Sequence, residues 1–366
     1  MLDIKLKLKP GHSTERDWMA PSPLRTLFWN LTYSCNFDCG ICFTDSGAAH
    51  RRELDTREAL DLVRKFHEAG VLDVLISGGE PFRRQDLISI LAEMGRLGIT
   101  TRIASNGSLL NKDILTRLRR ETLTKSFQIS LDTLDPRLYG LMHGAPPEML
   151  PVVLENLRLI QAAGFHTTVS VRLAESTLPG IIPLLDRALH EGWPTLTVHC
   201  PVYTKRVRGA FAKNQDAISA LAPVFEHFCD LPQRWLVETY IPWAPYHPAM
   251  LRLARMVRVV HRGCHAGRDR LTVNPTGLLS PCVCLDVPEA YVGDARTDDL
   301  GEVFSKAPLC EKMRHPARHG ICNDCANVAS CGGGCRAQAF TITGRIDGPD
   351  KSCPVWNGRA AKKEGR

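Results

Sequence analysis

Three cysteines near the start of the chain, Cys35, Cys39 and Cys42, are separated by three and then two residues. Thiolates at this spacing can wrap three corners of a cubane 4Fe–4S cluster and leave its fourth iron without a protein ligand. Structural zinc asks for a fourth ligand and favours two separated pairs. Here the next cysteine is Cys200, and His50 is the only close alternative. A metal left with an open position is a catalytic arrangement. Further along stand Cys264, Cys282, Cys322, Cys325, Cys331, Cys335 and Cys353, with Gly277 separated from Cys282 by four residues. The pair Cys322-x2-Cys325 alone would suit a zinc knuckle. Seven cysteines, however, divide poorly into two tetrahedral zinc sites. The remaining thiols, Cys200, Cys229, Cys284 and Cys310, fall outside both sets and read first as core residues.

These cysteines need elements to hold them. Short runs rich in Val, Ile, Leu and Phe at 26–32, 73–77, 100–105, 126–131, 167–173 and 195–199 read as strands. They lack polar alternation, as expected of parallel strands covered on both faces. Between them, helical periodicity covers 56–69, 85–97, 112–119, 148–163 and 180–191. Gly70, Gly98 and Gly164 follow three of these helices as left-handed caps. Six strand–helix units in series predict an α/β fold, a partial (β/α)6 TIM-type barrel. A small cysteine-rich iron–sulfur domain follows it. The boundaries expected are an N-terminal extension over 1–24, the core over 25–232, a linker over 233–262, the cysteine-rich domain over 263–355 and a basic tail over 356–366. A further helix is expected at 214–230, and the alternating apolar and Lys residues of 4–9 read as a short edge strand. Trp243 and Tyr246, in a Pro- and aromatic-rich stretch, are expected to wall a cleft, together with His265 and Asp286.

The cysteine trio follows the first strand directly, and the second strand ends in Ser77-Gly78-Gly79-Glu80-Pro81-Phe82. A Cys-x3-Cys-x2-Cys loop combined with this GGEP segment resembles the radical S-adenosylmethionine (SAM) superfamily. Ser105-Asn106 at the third strand end and Ser130-Leu131-Asp132 at the fourth are similar to further segments of that family. The resemblance implies that Gly78, Gly79, Glu80, Pro81, Ser105, Asn106, Ser130 and Asp132 contact SAM, with Glu80 accepting from its ammonium group and Arg172 pairing with its carboxylate. Three positions depart from the pattern. Ile41 stands where an aromatic or His is usual, Thr133 replaces a Gly, and His143-Gly144 replaces Arg-Gly. The later cysteines resemble the SPASM domain appended to a subset of these enzymes. That likeness implies a proximal auxiliary cluster on Cys264, Cys282 and Cys335 and a distal one on Cys322, Cys325, Cys331 and Cys353. The proximal cluster then takes Cys284 or Cys310 as its fourth ligand, or keeps an open iron. Within the subset, the chain is similar to maturases of ribosomal peptides, such as mycofactocin maturases and pyrroloquinoline-quinone peptide-crosslinking enzymes.

The implied cofactors are SAM, its 4Fe–4S cluster and two auxiliary iron–sulfur clusters. The implied activity is reductive cleavage of SAM to a 5′-deoxyadenosyl radical that abstracts hydrogen. An oxidative peptide modification (crosslink, thioether or desaturation) would follow, with a small-molecule dehydrogenase or epimerase as the alternative. A flavodoxin- or ferredoxin-type protein would supply the electron. Only residues 1–25 precede the first strand, so a separate leader-recognition protein is expected, or strand addition of the leader to the N-terminal strand. A third reading, a non-catalytic electron carrier or zinc module, has no use for GGEP and an open three-cysteine site. The formal charge of +7 is dispersed, which argues against a nucleic-acid partner. No apolar run approaches the ~18–20 residues that span a bilayer. No secretion signal opens the chain, and fourteen cysteines, ten of them in the two spaced sets, fit a reducing cytoplasm.

Overall fold

The computed structural model describes residues 2–7, 23–40, 42, 44, 46, 47, 52–172, 177–200, 224, 226, 227, 236–239, 242–255, 258–261, 264–315, 322–350 and 353. Twelve strands form one sheet. They are β1 (Leu2–Lys7), β2 (Thr26–Asn30), β3 (Asp73–Ser77), β4 (Thr100–Ser105), β5 (Thr124–Ser130) and β6 (His166–Arg172). They continue with β7 (Thr195–Cys200), β8 (Leu236–Thr239), β9 (Arg258–His261), β10 (Arg270–Val273), β11 (Leu278–Ser280) and β12 (Gly293–Asp294). Strands β2 to β7 lie side by side in chain order, and all pair in parallel. This is the expected six-strand partial barrel.

Helices α1 (Thr56–Glu68), α2 (Leu87–Arg96), α3 (Lys112–Glu121), α4 (Pro136–His143), α5 (Met149–Ala162) and α6 (Leu178–His190) supply the crossovers. The start of α1 shows why the sequence folds as it does. Asp55 accepts from the Glu58 amide while Glu58 accepts from the Asp55 amide, which satisfies two orphan donors at once. Ala59, Leu62, Val63 and Phe66 then fall on one buried face, and Phe66 meets Trp29 of β2 edge-on at 5.2 Å. Gly70, Gly98 and Gly164 follow α1, α2 and α5 at φ of 75°, 75° and 79°, the left-handed caps the sequence predicts.

Four features depart from the sequence reading. First, the strands do alternate: Phe127, Ile129, Val169, Val171, Leu196 and Val198 join the main apolar core, whereas Gln128, Ser130, Ser170, Arg172 and His199 line an open cleft. One face of a partial barrel is solvent-accessible, so only the helix-covered face must be apolar. Second, β1 is no edge strand, because it pairs antiparallel with both β7 and β8. Third, β8 and β9 arise inside the stretch expected as a linker, and β10 pairs in parallel with β2, so the cysteine-rich segment shares the core's sheet. Fourth, α4 was not anticipated. Asp135 caps it by accepting from Arg137 and Leu138, Pro136 sits in its first turn, and Gly144 ends it. Ile41, His50, Cys229 and most of the helix expected over 214–230 lie outside the described residues, as do Trp235, Tyr240 and the tail 356–366.

Helix α4 buttresses the three-cysteine loop. Gly40 donates to the Met142 carbonyl at 3.1 Å, and Gly144, at φ 56°, is so close that a Cβ there would lie 2.3 Å from the Asp38 oxygen. Gly144→Ala should therefore cost on the order of 1–3 kcal/mol and loosen the loop. Chemical denaturation would show it as a lowered midpoint; an unchanged midpoint would mean that the loop is seated by other contacts.

Candidate functional site

A cleft of about 160 Å³, partly open to solvent, lies at the C-terminal ends of the parallel strands. Cys35, Cys39 and Cys42 line it together with Gly78, Gly79, Ser105, Asn106, Ser130, Asp132 and Arg172. This is where parallel α/β folds place ligands. The loop carrying the thiols is held by the backbone of the GGEP segment. Gly79 donates to the Thr32 carbonyl at 2.7 Å and Glu80 to that of Ser34 at 2.9 Å. A Cβ on Gly78 would lie 2.4 Å from the Thr32 oxygen, and one on Gly79 would lie 2.2 Å from that of Ser34. The two glycines thus make room for the chain itself, in addition to facing the cleft. The three thiols are free. Burial, followed by the neighbouring Cys42 and Cys35 sulfurs, pushes the Cys39 thiol well up; burial also raises Cys35. Three mutually repelling sulfurs on one wall suit a cationic iron centre that would deprotonate and hold them.

Glu80, expected to accept from an ammonium group, is hydrogen-bonded here by groups of the chain itself. It is fully buried, and its carboxylate accepts from Ser105 Oγ at 2.9 Å, Asn106 N at 2.8 Å and Phe82 N at 3.2 Å. Neither it nor Pro81 belongs to the cleft lining. Its observed task is to tie the GGEP turn to the end of β4. Burial raises its pKa to about 7 against the pull of those hydrogen bonds.

Asp132 faces the cleft and is itself buried. One of its oxygens accepts from the Arg172 amide, and the other lies 3.0 Å from His143 Nε2. The His143 ring lies tilted against Tyr139 with centroids 4.3 Å apart, and its Nδ1 is 3.6 Å from Cys39 Sγ. The residue that departs from the family's Arg-Gly is therefore a polar contact of one of the three sulfurs. Sequence reasoning missed it, along with Gln128, Ser170 and His199, which also line the cleft. The signal was there: each of these last three alternates with apolar residues along β5, β6 or β7. Asp286, His265, Trp243 and Tyr246, expected to wall the cleft, are not among its lining residues. Asp286 accepts from Tyr33, Asn274 and Tyr291; His265 pairs with Asp269; Trp243 donates to Asp350 at 3.2 Å.

The second cysteine set lies outside the cleft lining. Cys335 has Cys264 and Cys282 as electrostatic neighbours, Cys331 has Cys353, and Cys322 has Cys325. Each of these neighbour pairs falls within one of the two groups that the SPASM likeness implies. Burial pushes Cys331 and Cys335 up to about 12. Between the two groups runs Cys331-Gly332-Gly333-Gly334-Cys335, whose three glycines all have positive φ. Arg336 is buried and donates to the carbonyls of Gly333, Gly334, Ile346 and Gly348. Asp350 accepts from the Cys335 amide at 2.8 Å, and a Cβ on Gly334 would lie 2.4 Å from the Asp350 Cβ.

Comparison with known proteins agrees with this geometry. Residues 29–174 match the model of the radical SAM superfamily, and residues 264–326 match that of SPASM, an iron–sulfur cluster-binding domain. The chain is 29% identical to the mycofactocin maturase MftC of Mycobacterium ulcerans, over 93% of this chain and 90% of that protein. It is 24% identical to an AdoMet-dependent heme synthase of Oleidesulfovibrio alaskensis, over 87% and 84%. It is 26% identical to a PqqA peptide cyclase of Gluconobacter oxydans, over 92% of each. The solved structure of Streptococcus suis SuiB bound to precursor peptide SuiA shares the fold, with a TM-score of 0.69 at 20% identity over 91% of this chain and 76% of that one.

Two outcomes follow from the site. Arg336→Met removes the donor to four carbonyls, of which those of Gly334 and Gly348 are buried and cost about 1–3 kcal/mol each when left unpaired. Iron and sulfide per chain should drop by the share of the auxiliary sites, and undiminished content would contradict the clamp. Glu80 binds its proton more tightly folded, at about 7, than unfolded, near 4.5. Its contribution is therefore complete below the unfolded value and lost as pH rises through about 7. Unfolding free energies of the metal-free chain at pH 5 and pH 8 should show that loss, and Glu80→Gln should reduce it; an equal loss in the variant would put its origin elsewhere.

Proposed function

We propose that this chain, which carries a radical SAM domain followed by an iron–sulfur SPASM domain, is a maturase that oxidatively modifies a ribosomal peptide. The observation that carries the reading is the convergence of Cys35, Cys39 and Cys42 with Gly78, Gly79, Ser105, Asn106, Ser130, Asp132 and Arg172 on one cleft. When bound there, the cluster and SAM supply a 5′-deoxyadenosyl radical able to take hydrogen from an unactivated carbon. The residues of the chain orient and shield. Arg172 offers a cation to the SAM carboxylate, while Asn106, Ser130 and Asp132 offer polar contacts to the rest of the cofactor. Phe28, Phe37 and Leu75 contribute apolar wall that limits water around the reacting centre. The auxiliary clusters, on Cys264, Cys282 and Cys335 and on Cys322, Cys325, Cys331 and Cys353, would accept the electron that an oxidative outcome releases.

A peptide substrate is supported by the names of two relatives, a mycofactocin maturase and a PqqA peptide cyclase. Both edges of β1 are taken by neighbouring strands, so leader capture by strand addition there would have to displace one of them. We assign leader recognition to a separate protein, and electron supply to a flavodoxin- or ferredoxin-type reductant. Among the described residues no helix is long and apolar enough to cross a membrane. A cytoplasmic setting would keep the thiols reduced. The heme synthase relative favours a second reading, a small-molecule substrate.

Anaerobic reconstitution with SAM and a strong reductant should yield 5′-deoxyadenosine, and a Cys35→Ala/Cys39→Ala/Cys42→Ala variant should fall to background. Product formation by the triple variant would overturn the mechanism. Adding a candidate precursor peptide should raise turnover and change the peptide's mass; stimulation by a tetrapyrrole and by no peptide would favour the second reading.

A further inference from the structure

The two cysteine sets are not independent of each other, because one thiol outside both of them reaches the cleft. Cys284 lines the cleft alongside Cys35, Cys39 and Cys42. It is brought there by a turn in which Leu285 N donates to the Cys282 carbonyl at 2.9 Å, so that the chain doubles back over Cys282. Val283 anchors the turn, packing on Phe28 and Leu75 of the cleft wall. The Cys282 thiol interacts directly with that of Cys284, and Cys335 is a further sulfur neighbour. Cys264 in turn neighbours Cys335. Cys264, Cys335, Cys282 and Cys284 thus form a connected series of electrostatic neighbours, and Cys284 is the member that lines the cleft. Arg172 is an electrostatic neighbour of both Cys284 and Cys39, and all three line the same cleft.

We infer that Cys284 supplies the fourth thiolate of the proximal auxiliary cluster and closes the iron that would otherwise face the substrate cleft. The inference rests on the proposed function only in taking Cys264, Cys282 and Cys335 as ligands. Cys310, the other candidate, is fully buried in the helix Pro308–Arg314, against Gly267 and with Arg314 as its charged neighbour. Cys284 alone of the two meets both the ligand group and the cleft. The consequence concerns function. A cubane cluster whose four irons each carry one thiolate has no vacancy for a substrate heteroatom, so this cluster would exchange electrons with a substrate radical without bonding to it.

The test uses the full chain with Cys35, Cys39 and Cys42 replaced by Ala, so that only auxiliary clusters assemble. The reduced protein is mixed with ¹³C-cyanide and examined by electron–nuclear double resonance. With Cys284 in place no ¹³C coupling to a cluster iron is expected; with Cys284→Ala a coupling should appear while the cluster signal persists. Coupling in both proteins, or in neither, would overturn the assignment. The unsubstituted protein offers a second readout that does not depend on a variant folding. N-ethylmaleimide followed by peptide mass mapping should leave Cys284 unmodified in the cluster-loaded protein and label it once iron is chelated away. Equal modification in both states, whether complete or nil, would also overturn it. Neither readout involves SAM cleavage, so a failure to form 5′-deoxyadenosine would sink the proposed function and leave this assignment standing.

Discussion

Three close backbone approaches seat the loop that carries Cys35, Cys39 and Cys42, and the chemistry of the cleft depends on them. Gly78 and Gly79 lie against the carbonyls of Thr32 and Ser34, and Gly144 lies against that of Asp38, all at distances no side chain would permit. Thiols held this way are pre-positioned by covalent geometry and backbone hydrogen bonds, with little left to side-chain rotamers. The arrangement explains why the first two strand ends and α4 act as one support. Moving any of the three segments by the width of a methyl group would move a sulfur.

The charges around both cysteine sets follow a second rule. Buried ions here are largely satisfied by backbone groups. Arg336 and Arg314 donate to carbonyls, while Glu80 accepts two of its three hydrogen bonds, and Asp350 one, from backbone amides. A guanidinium whose partners are neutral carbonyls keeps its full charge, and Arg336 lies close enough to Cys322 to act on it. Clusters carried by thiolates are anionic, and reduction makes them more so. A retained cation in a poorly screened interior offsets that charge. Around the first set, Arg172 is the corresponding cation and reaches Cys39 electrostatically.

Much of this was legible in the residues. Strand and helix periods placed six βα units within a few residues of their observed limits, because apolar runs bounded by glycine caps leave few alternatives. The cysteine spacings and GGEP pointed to the cleft. What stayed hidden depended on tertiary pairing. Strands β8 and β9 are only four residues long, and β8 joins the sheet through β1 at the far end of the sequence, so local composition read both as linker. Helix α4 spans only eight residues, yet Asp135-Pro136 and Gly144 were its start and stop signals. Glu80 looked like a ligand-facing carboxylate, but the buried donors that turn it inward belong to β4 and the turn after it. Gln128, Ser170 and His199 were visible as period-two polar positions and were overlooked because the strands were read as covered on both sides.

The account stands or falls on whether an iron held by Cys35, Cys39 and Cys42 keeps a position that SAM occupies. Electron–nuclear double resonance on the reduced, cluster-loaded protein with SAM labelled at its amino nitrogen and carboxylate measures this directly. The account predicts hyperfine coupling of both labelled groups to a single cluster iron. A reduced cluster whose spectrum shows neither coupling, with SAM present in excess, would contradict it.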